Sequence, residues 1–260
     1  MSSASAQCYT HRERGIGKLS ASCISLAMIY GILLAAGASA RLGWPKQLLE
    51  WRGCPLVCHI ARQALASDLD GLIVVIGAAA AQVRAALEED EDVGRVAIGS
   101  RPAPSAQLQI IENPDYAAGQ AGSLRSGLAA LPTDATAAVV LLVDQPLVTP
   151  ALINALLGVF RAAQRTAVSK QATQNETSSL PVAVIPRYQG QRGNPVLLAR
   201  SLFPELQGLQ GDEGARRVLR HHDAQITWLD TDDQAAVTDV DTLEEYTDLV
   251  QQQSAESKKP

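Results

Sequence analysis

Aromatic residues are scarce in this chain: two Phe, three Trp and five Tyr make up 4% of its 260 residues. The core must therefore be built from the abundant Ala, Val and Leu, which suits helices packed closely on a sheet. Cysteine is also sparse. Cys8, Cys23, Cys54 and Cys58 form no CxxC pair, which argues against a thioredoxin-like or zinc-ribbon site. With no secretory leader pattern, the expected setting is the reduced cytoplasm. No apolar run approaches the ~20 residues needed to span a bilayer, so no membrane association is expected. Positive charge is in deficit, with 22 Lys and Arg against 27 Asp and Glu and a net charge of −5. That balance argues against broad nucleic-acid binding, though it leaves room for local cationic phosphate sites. The hydrophobic fraction of 47% allows a sizeable core in one large α/β domain or two small ones.

Residues 1–27 are small, polar and basic without a sustained period, and read as a flexible extension. The chain has two methionines, Met1 and Met28. Met28 directly precedes the first convincing strand, so translation is expected to start there or the extension to be dispensable. From Ile29 onward, strand and helix patterns alternate. IYGILLA, GLIVVIG, LQIIEN, ATAAVVLLVDQP, PVAVIP and AQITWLD read as strands, several buried on both faces. PLVCHIARQAL, AAQVRAALEED, GSLRSGLAALP, TPALINALLGVFRAAQ, GDEGARRVLRHH and DTLEEYTDLVQQQ read as helices. Such alternation predicts a mostly parallel sheet with helices on both faces, a single-domain three-layer α/β/α fold of Rossmann-like type over residues 28–250. Residues 165–180 read as an exposed polar connection, and 251–260 as a disordered tail.

In such folds ligands bind outside the carboxyl ends of the strands. The first strand ends in LLAAGASARLGWPKQLL, residues 33–49. Small side chains at Ala36-Gly37-Ala38-Ser39 let a ligand approach backbone N–H groups, and consecutive N–H groups make an anion-binding concavity. Arg41 adds a planar fork and Lys46 a compact charge. The dinucleotide fingerprint GxGxxG fails here, as does the phosphate loop GxxxxGK[ST]. What remains is either a polyphosphate-binding turn or an ordinary turn with exposed cations.

The same stretch resembles the LAAGxSxRxGxPKxLL signature of MobA-like nucleotidyltransferases, and within that family the molybdenum cofactor cytidylyltransferases. ENPDYAAGQAGSLRSGL, LLVDQPLV, RYQGQRGNPVLL, LQGDEGAR and DVDTLEEY resemble further segments of the family in the same order. The resemblance implies a nucleotidyltransferase that releases pyrophosphate as it joins a nucleoside monophosphate to an acceptor phosphate. It implies a nucleotide-binding turn at Ala35, Ala36, Gly37 and Ser39, with Arg41 and Lys46 on the triphosphate and Arg41, Lys46 and Asp144 as the catalytic group. Magnesium or manganese is the implied cofactor. The first metal candidate is Asp144, at the end of the fourth strand, although an Asp before Pro146 also suits a turn. Asp239 and Asp241 would share one side of an extended segment, and one of them would complete the metal site with Asp144; Asp241 would otherwise cap the helix after it, with Asp239 on the metal.

Ser123 and Arg125, near a helix start, could contact base, ribose or phosphate, or simply cap and face solvent. The loop Arg192-Gly193-Asn194 is implied to face the acceptor or metal. Many relatives carry His where Asn194 stands, which argues against proton transfer there. Cys54, Cys58 and His59 are expected to serve packing rather than metal binding. Ala36 occupies the position where family members using GTP tend to carry Gly, so its methyl points to CTP. The implied substrates are CTP and molybdopterin, and the implied protein partner is a molybdoenzyme or cofactor-insertion chaperone. A sugar phosphate, alditol phosphate or phospholactate acceptor, or a noncatalytic carrier role, are the competing readings.

Overall fold

The computed structural model describes residues 28–39, 42–97, 107–172 and 180–256. The N-terminal extension and Arg41 lie outside the described residues. Strand β1 (Met28–Ala35) lies between β4 (Gly71–Ile76) and β6 (Ala135–Leu142), parallel to both, and β5 (Gln107–Glu112) extends the sheet beyond β4. On the other side β9 (Val196–Ala199) runs antiparallel to β6 and to β7 (Ala183–Tyr188), and β10 (Ile226–Asp230) pairs parallel to β7. The order is therefore β10-β7-β9-β6-β1-β4-β5. A short β8 (Gln191–Arg192) pairs with β7, and a separate hairpin joins β2 (Glu50–Trp51) to β3 (Cys54–Pro55). The expected mostly parallel sheet is present, with β9 and the short β8 as reversed strands.

Alternation along β1 divides the core in two, because successive side chains point to opposite faces. Ile29, Leu33 and Ala35 enter one cluster with α1 (Leu56–Leu65), α2 (Ala80–Glu89), α3 (Glu91–Ala97), α5 (Pro150–Ala172) and α8 (Leu243–Glu256). Ile32, Leu34 and Ala36 enter the other with α4 (Gln120–Ala129), α6 (Phe203–Leu206) and α7 (Arg216–Leu219). The three layers follow directly. Gly127 lets α4 sit very close to the sheet: a Cβ there would come within 2.5 Å of Ile32 Cγ2. That approach carries the start of α4 to the carboxyl end of β1.

Several boundaries differ from the sequence reading. α5 continues to Ala172, so residues 165–172 are helix, though Arg165, Thr166, Val168 and Ser169 are exposed; residues 173–179 lie outside the described residues. Ala, Lys and Gln are good helix formers and sustain a polar extension once the apolar part has docked. α8 continues to Glu256, replacing the first part of the expected tail, and its Tyr246 hydroxyl donates to the Glu50 carbonyl of the hairpin. GDEGARRVLRHH forms only the single turn of α7. Gly211, at φ 57°, bends the chain first, and glycine accepts that conformation without steric cost. The acidic residues that follow α2 open the further helix α3. Asp90 starts it by accepting the Asp92 and Val93 N–H groups, and Arg62 clasps Asp90 from α1 at 2.8 and 3.1 Å.

Cys58 and His59 are packing residues. Cys58 Sγ donates to the Ala86 carbonyl, and His59 Nε2 lies 2.9 Å from the Pro146 carbonyl oxygen. Burial pushes the Cys58 thiol up to about 12, and thiolate is the reactive form. At pH 8 iodoacetamide should therefore leave Cys54 and Cys58 unlabelled in the folded protein and label both in urea, as read by peptide mass. Labelling of Cys58 at its unfolded rate under native conditions would place it outside the core.

Candidate active site

The carboxyl ends of β1 and β6 open into a cavity of about 320 Å³. Its walls come from the turn Ala36–Ser39, from Lys46 and Gln47, from the start of α4, and from Val143 and Asp144. The turn is built rather than loose. Ser39 takes a left-handed conformation at φ 52°, and its hydroxyl accepts the Lys46 N–H at 3.0 Å. Fully buried Gln47 donates from Nε2 to the carbonyls of Ala35 and Gly37 at 2.9 and 2.6 Å. These bonds occupy carbonyl oxygens and hold the turn's shape. Open space adjoins Gly37, where a Cβ would meet nothing within 4 Å, as close ligand approach requires. Ala36 lines the cavity, whereas Ala35 packs on the opposite face in the core. Ala35 thus contributes backbone and not a nucleotide-facing side chain.

Lys46 crosses the cavity floor to the acidic side chains. Its Nζ lies 3.0 Å from Asp144 Oδ2, 2.9 Å from Asp241 Oδ1 and 3.2 Å from the Val240 carbonyl oxygen. Burial opposes the Lys46 charge, but Asp144 and Asp241 outweigh it and raise the ammonium pKa above its ordinary value. The 239–241 segment is fixed here because the Val240 N–H donates to the Asp144 carbonyl at 2.8 Å. Asp239 belongs to the same group: burial, then Asp144 and Asp241, hold its carboxyl above the usual range. Asp241 is not the cap of α8. Thr242 and Glu245 form a reciprocal capping box, with Glu245 N donating to Thr242 Oγ1 and Glu245 Oε2 accepting the N–H groups of Asp241 and Thr242. The cap therefore leaves the Asp241 carboxylate directed at Lys46.

These residues suit a hard divalent cation. Asp144 Oδ1 is buried without a hydrogen-bond partner among the described residues, and such an atom calls for a ligand. Among the described residues no group of three or more His, Cys, Asp or Glu could hold a metal ion by itself. Magnesium fits that arrangement, since it takes one or two protein carboxylates and completes its shell with water and substrate phosphates.

Other expected residues divide between wall and frame. Ser123 lines the cavity, buried, with its hydroxyl accepting from Asn113 Nδ2 at 3.1 Å. Arg125 does not line it: the guanidinium donates to the Leu209 carbonyl at 3.0 Å. The helix begins at Gln120 rather than Gly122, which turns Arg125 from the binding edge toward the 209–216 segment. Arg192, Gly193 and Asn194 border a second, adjoining cavity of about 190 Å³. Gln47, Tyr116, Gln120 and Asp212 were not singled out from the sequence and do line the first cavity. Gln47 carried a faint signal, as a lone amide between Lys46 and the apolar Leu48-Leu49. Gly119, at φ 114°, lets Gly211 close against the start of α4; a Cβ there would lie 2.2 Å from the Gly211 carbonyl oxygen.

The chain is 32% identical to nicotine blue oxidoreductase of Paenarthrobacter nicotinovorans over 224 residues, covering 85% of this chain and 95% of that protein. It is 31% identical to the purine catabolism protein PucB of Bacillus subtilis (strain 168), covering 84% and 94%. The crystal structure of Rv0371c from Mycobacterium tuberculosis H37Rv superposes with a TM-score of 0.64 at 29% identity, over 87% of this chain and 100% of that one. The same protein in complex with manganese superposes at 0.62 with 27% identity, again over 87% and 100%. The MobA-like NTP transferase domain profile matches residues 31–226, and the chain belongs to that family.

Proposed function

We propose that the chain transfers CMP from CTP to the phosphate of molybdopterin, forming the cytosine dinucleotide cofactor and releasing pyrophosphate. One observation supports the nucleotidyl-transfer part: Lys46 and Asp144 line one cavity with the glycine turn, and Lys46 lies within hydrogen-bonding distance of both Asp144 and Asp241. An acceptor phosphate oxygen attacks the α-phosphorus of CTP. The bond from that phosphorus to the oxygen bridging the β-phosphate breaks, and pyrophosphate leaves with the electron pair. The reaction needs no protein nucleophile and depends on positioning and charge stabilisation. Turn N–H groups and Lys46 bind the triphosphate, with Arg41 assigned there by its place in the motif. Asp144, with one of Asp239 and Asp241, would hold magnesium or manganese, which would supply neutralising charge to the triphosphate. The manganese complex of Rv0371c supports a divalent cation.

Ala36 supports CTP. Its methyl faces Gly77 at the cavity wall, where a Cβ on Gly77 would meet Ala36 Cβ at 2.9 Å. A larger purine has less room beside it. Ala36→Gly should raise the GTP-to-CTP ratio of kcat/KM about tenfold, within the range that one methyl group commands in a binding pocket. An unchanged ratio would remove Ala36 as the base selector.

The function is tested by incubating purified protein with molybdopterin and CTP, GTP or ATP, and identifying products by mass. The cytosine dinucleotide and pyrophosphate are expected. Because one relative is named an oxidoreductase, NADPH consumption is followed in parallel. NADPH turnover without nucleotidyl transfer would overturn the proposal.

A further inference from the structure

Gln47 is a fully buried amide at the wall of the nucleotide cavity. It belongs to a single 3-10 turn, Lys46–Leu48. The Leu48 N–H closes that turn on the Pro45 carbonyl at 3.0 Å, and the Leu49 N–H on the Lys46 carbonyl at 3.1 Å. Leu48 and Leu49 pack on the core, so the backbone that carries Gln47 is anchored. Nε2 uses both of its hydrogens, on the Ala35 and Gly37 carbonyls at 2.9 and 2.6 Å. Oε1 is buried without a partner among the described residues. The reverse orientation of the amide would set Oε1 against two carbonyl oxygens, acceptor to acceptor. The amide therefore has one stable orientation.

A trans peptide group points its C=O and its N–H in opposite directions. Holding the Gly37 carbonyl toward Gln47 thus directs the Ala38 N–H away from it, into the cavity that Ala38 lines. Among the described residues this N–H has no protein acceptor. Packing does not fix the peptide, since a Cβ on Gly37 would meet nothing within 4 Å and glycine has the widest backbone freedom. Were this peptide to turn over, a carbonyl oxygen would face the cavity in place of the N–H. The far end of the turn is tied to the residue next to Gln47: the Ser39 hydroxyl accepts the Lys46 N–H at 3.0 Å. Two consecutive residues therefore hold both ends of the turn, and the first of them carries the ammonium that lies between Asp144 and Asp241.

We infer that Gln47 is a positioning residue for polyphosphate binding: its amide turns the Gly37–Ala38 peptide so that the Ala38 N–H faces the outer phosphates, and it joins that donor rigidly to Lys46. This rests on the nucleotidyl-transfer reading. Gln47 acts through the turn. Because the base is assigned to the wall at Ala36 and Gly77, the effect of Gln47 belongs to the phosphates beyond the first.

The test uses inorganic tripolyphosphate as probe and CMP as control, with binding measured calorimetrically at fixed magnesium. Gln47→Met keeps the length of the side chain and removes its donors. It should weaken tripolyphosphate binding ~10-fold or more, the scale of a lost hydrogen bond to an anion, while CMP, with a single phosphate, should lose little. Gln47→Glu at pH 8 should weaken tripolyphosphate at least as much, because an ionised carboxylate would face two carbonyl oxygens. Burial among acceptors raises the pKa of such a carboxyl, and its protonated form can donate to the Gly37 carbonyl. The affinity of Gln47→Glu relative to wild type should therefore recover as the pH falls from 8 to 6. Unaltered tripolyphosphate binding in either variant, an equal loss for CMP, or a Gln47→Glu ratio that does not move with pH would overturn the inference. So would failure of the wild-type protein to bind tripolyphosphate. If these dependences hold but CTP yields no nucleotidyl product, the nucleotidyl-transfer reading fails while the role of Gln47 in anion binding stands.

Discussion

Asp144→Asn should lower kcat for nucleotidyl transfer by ~10²-fold or more, the scale on which removing a preorganised electrostatic group acts. The substitution keeps the shape of the side chain and removes its charge. Asp144 Oδ2 accepts from Lys46 at 3.0 Å, and Oδ1 is buried without a partner. In the variant an amide NH₂ occupies one of these positions. At the Oδ2 position it would face the Lys46 ammonium donor to donor; at the Oδ1 position it would replace the Asp144 oxygen that has no partner among the described residues and that a cation could take. Either arrangement weakens the hold on a divalent ion. Manganese affinity, followed by its electron paramagnetic resonance signal with CTP present, should fall together with kcat, while far-ultraviolet circular dichroism stays unchanged. A rate within tenfold of wild type would show that Asp144 is not the anchor of the chemistry.

The sheet was legible because β1, β4 and β6 are buried on both faces and read as continuous apolar runs. The reversed strand β9 was not, because four residues of PVLL after a loop carry no sign of direction. Its antiparallel course follows from pairing with β6 and β7, a tertiary outcome. GDEGARRVLRHH had the charge order of a helix, yet glycines at 211 and 214 and the docking of Gly211 against Gly119 left room for only one turn. At the cavity, residues local to strand ends were readable: the turn before Lys46, and Asp144 after β6. The match of Lys46 with Asp144 and Asp241 spans 98 and 195 residues, and only the motif order hinted at it. Gln47 and Asp212 escaped notice because their roles arise from packing. Arg125 was left open between a nucleotide contact and a solvent-facing role, and its bond to the Leu209 carbonyl is a tertiary contact that no local pattern shows.

Lys46→Ala should separate two quantities that the wild-type protein couples. The Lys46 ammonium lies among Asp144, Asp241 and the Val240 carbonyl, the oxygen-rich position that suits a metal ion. To bind a triphosphate at the turn, it must share or leave those carboxylates as the nucleotide and its cation arrive. Removing it deletes a positive charge from the triphosphate and the departing pyrophosphate, so kcat should fall ~10²-fold or more. It also removes the cation competing for Asp144 and Asp241, so manganese affinity without nucleotide should rise. Lys46 is the cation paired with Asp144 among the described residues, and Asp239 is already held above the usual carboxylate range by burial and by Asp144 and Asp241. The variant should therefore be less stable without metal and regain stability when manganese is added, since a ligand that binds the folded state alone stabilises it. Calorimetric titration and thermal unfolding with and without manganese read both effects. A fall in rate with unchanged metal affinity would mean that Lys46 serves the phosphates without competing for the carboxylates; wild-type turnover would remove it from the mechanism.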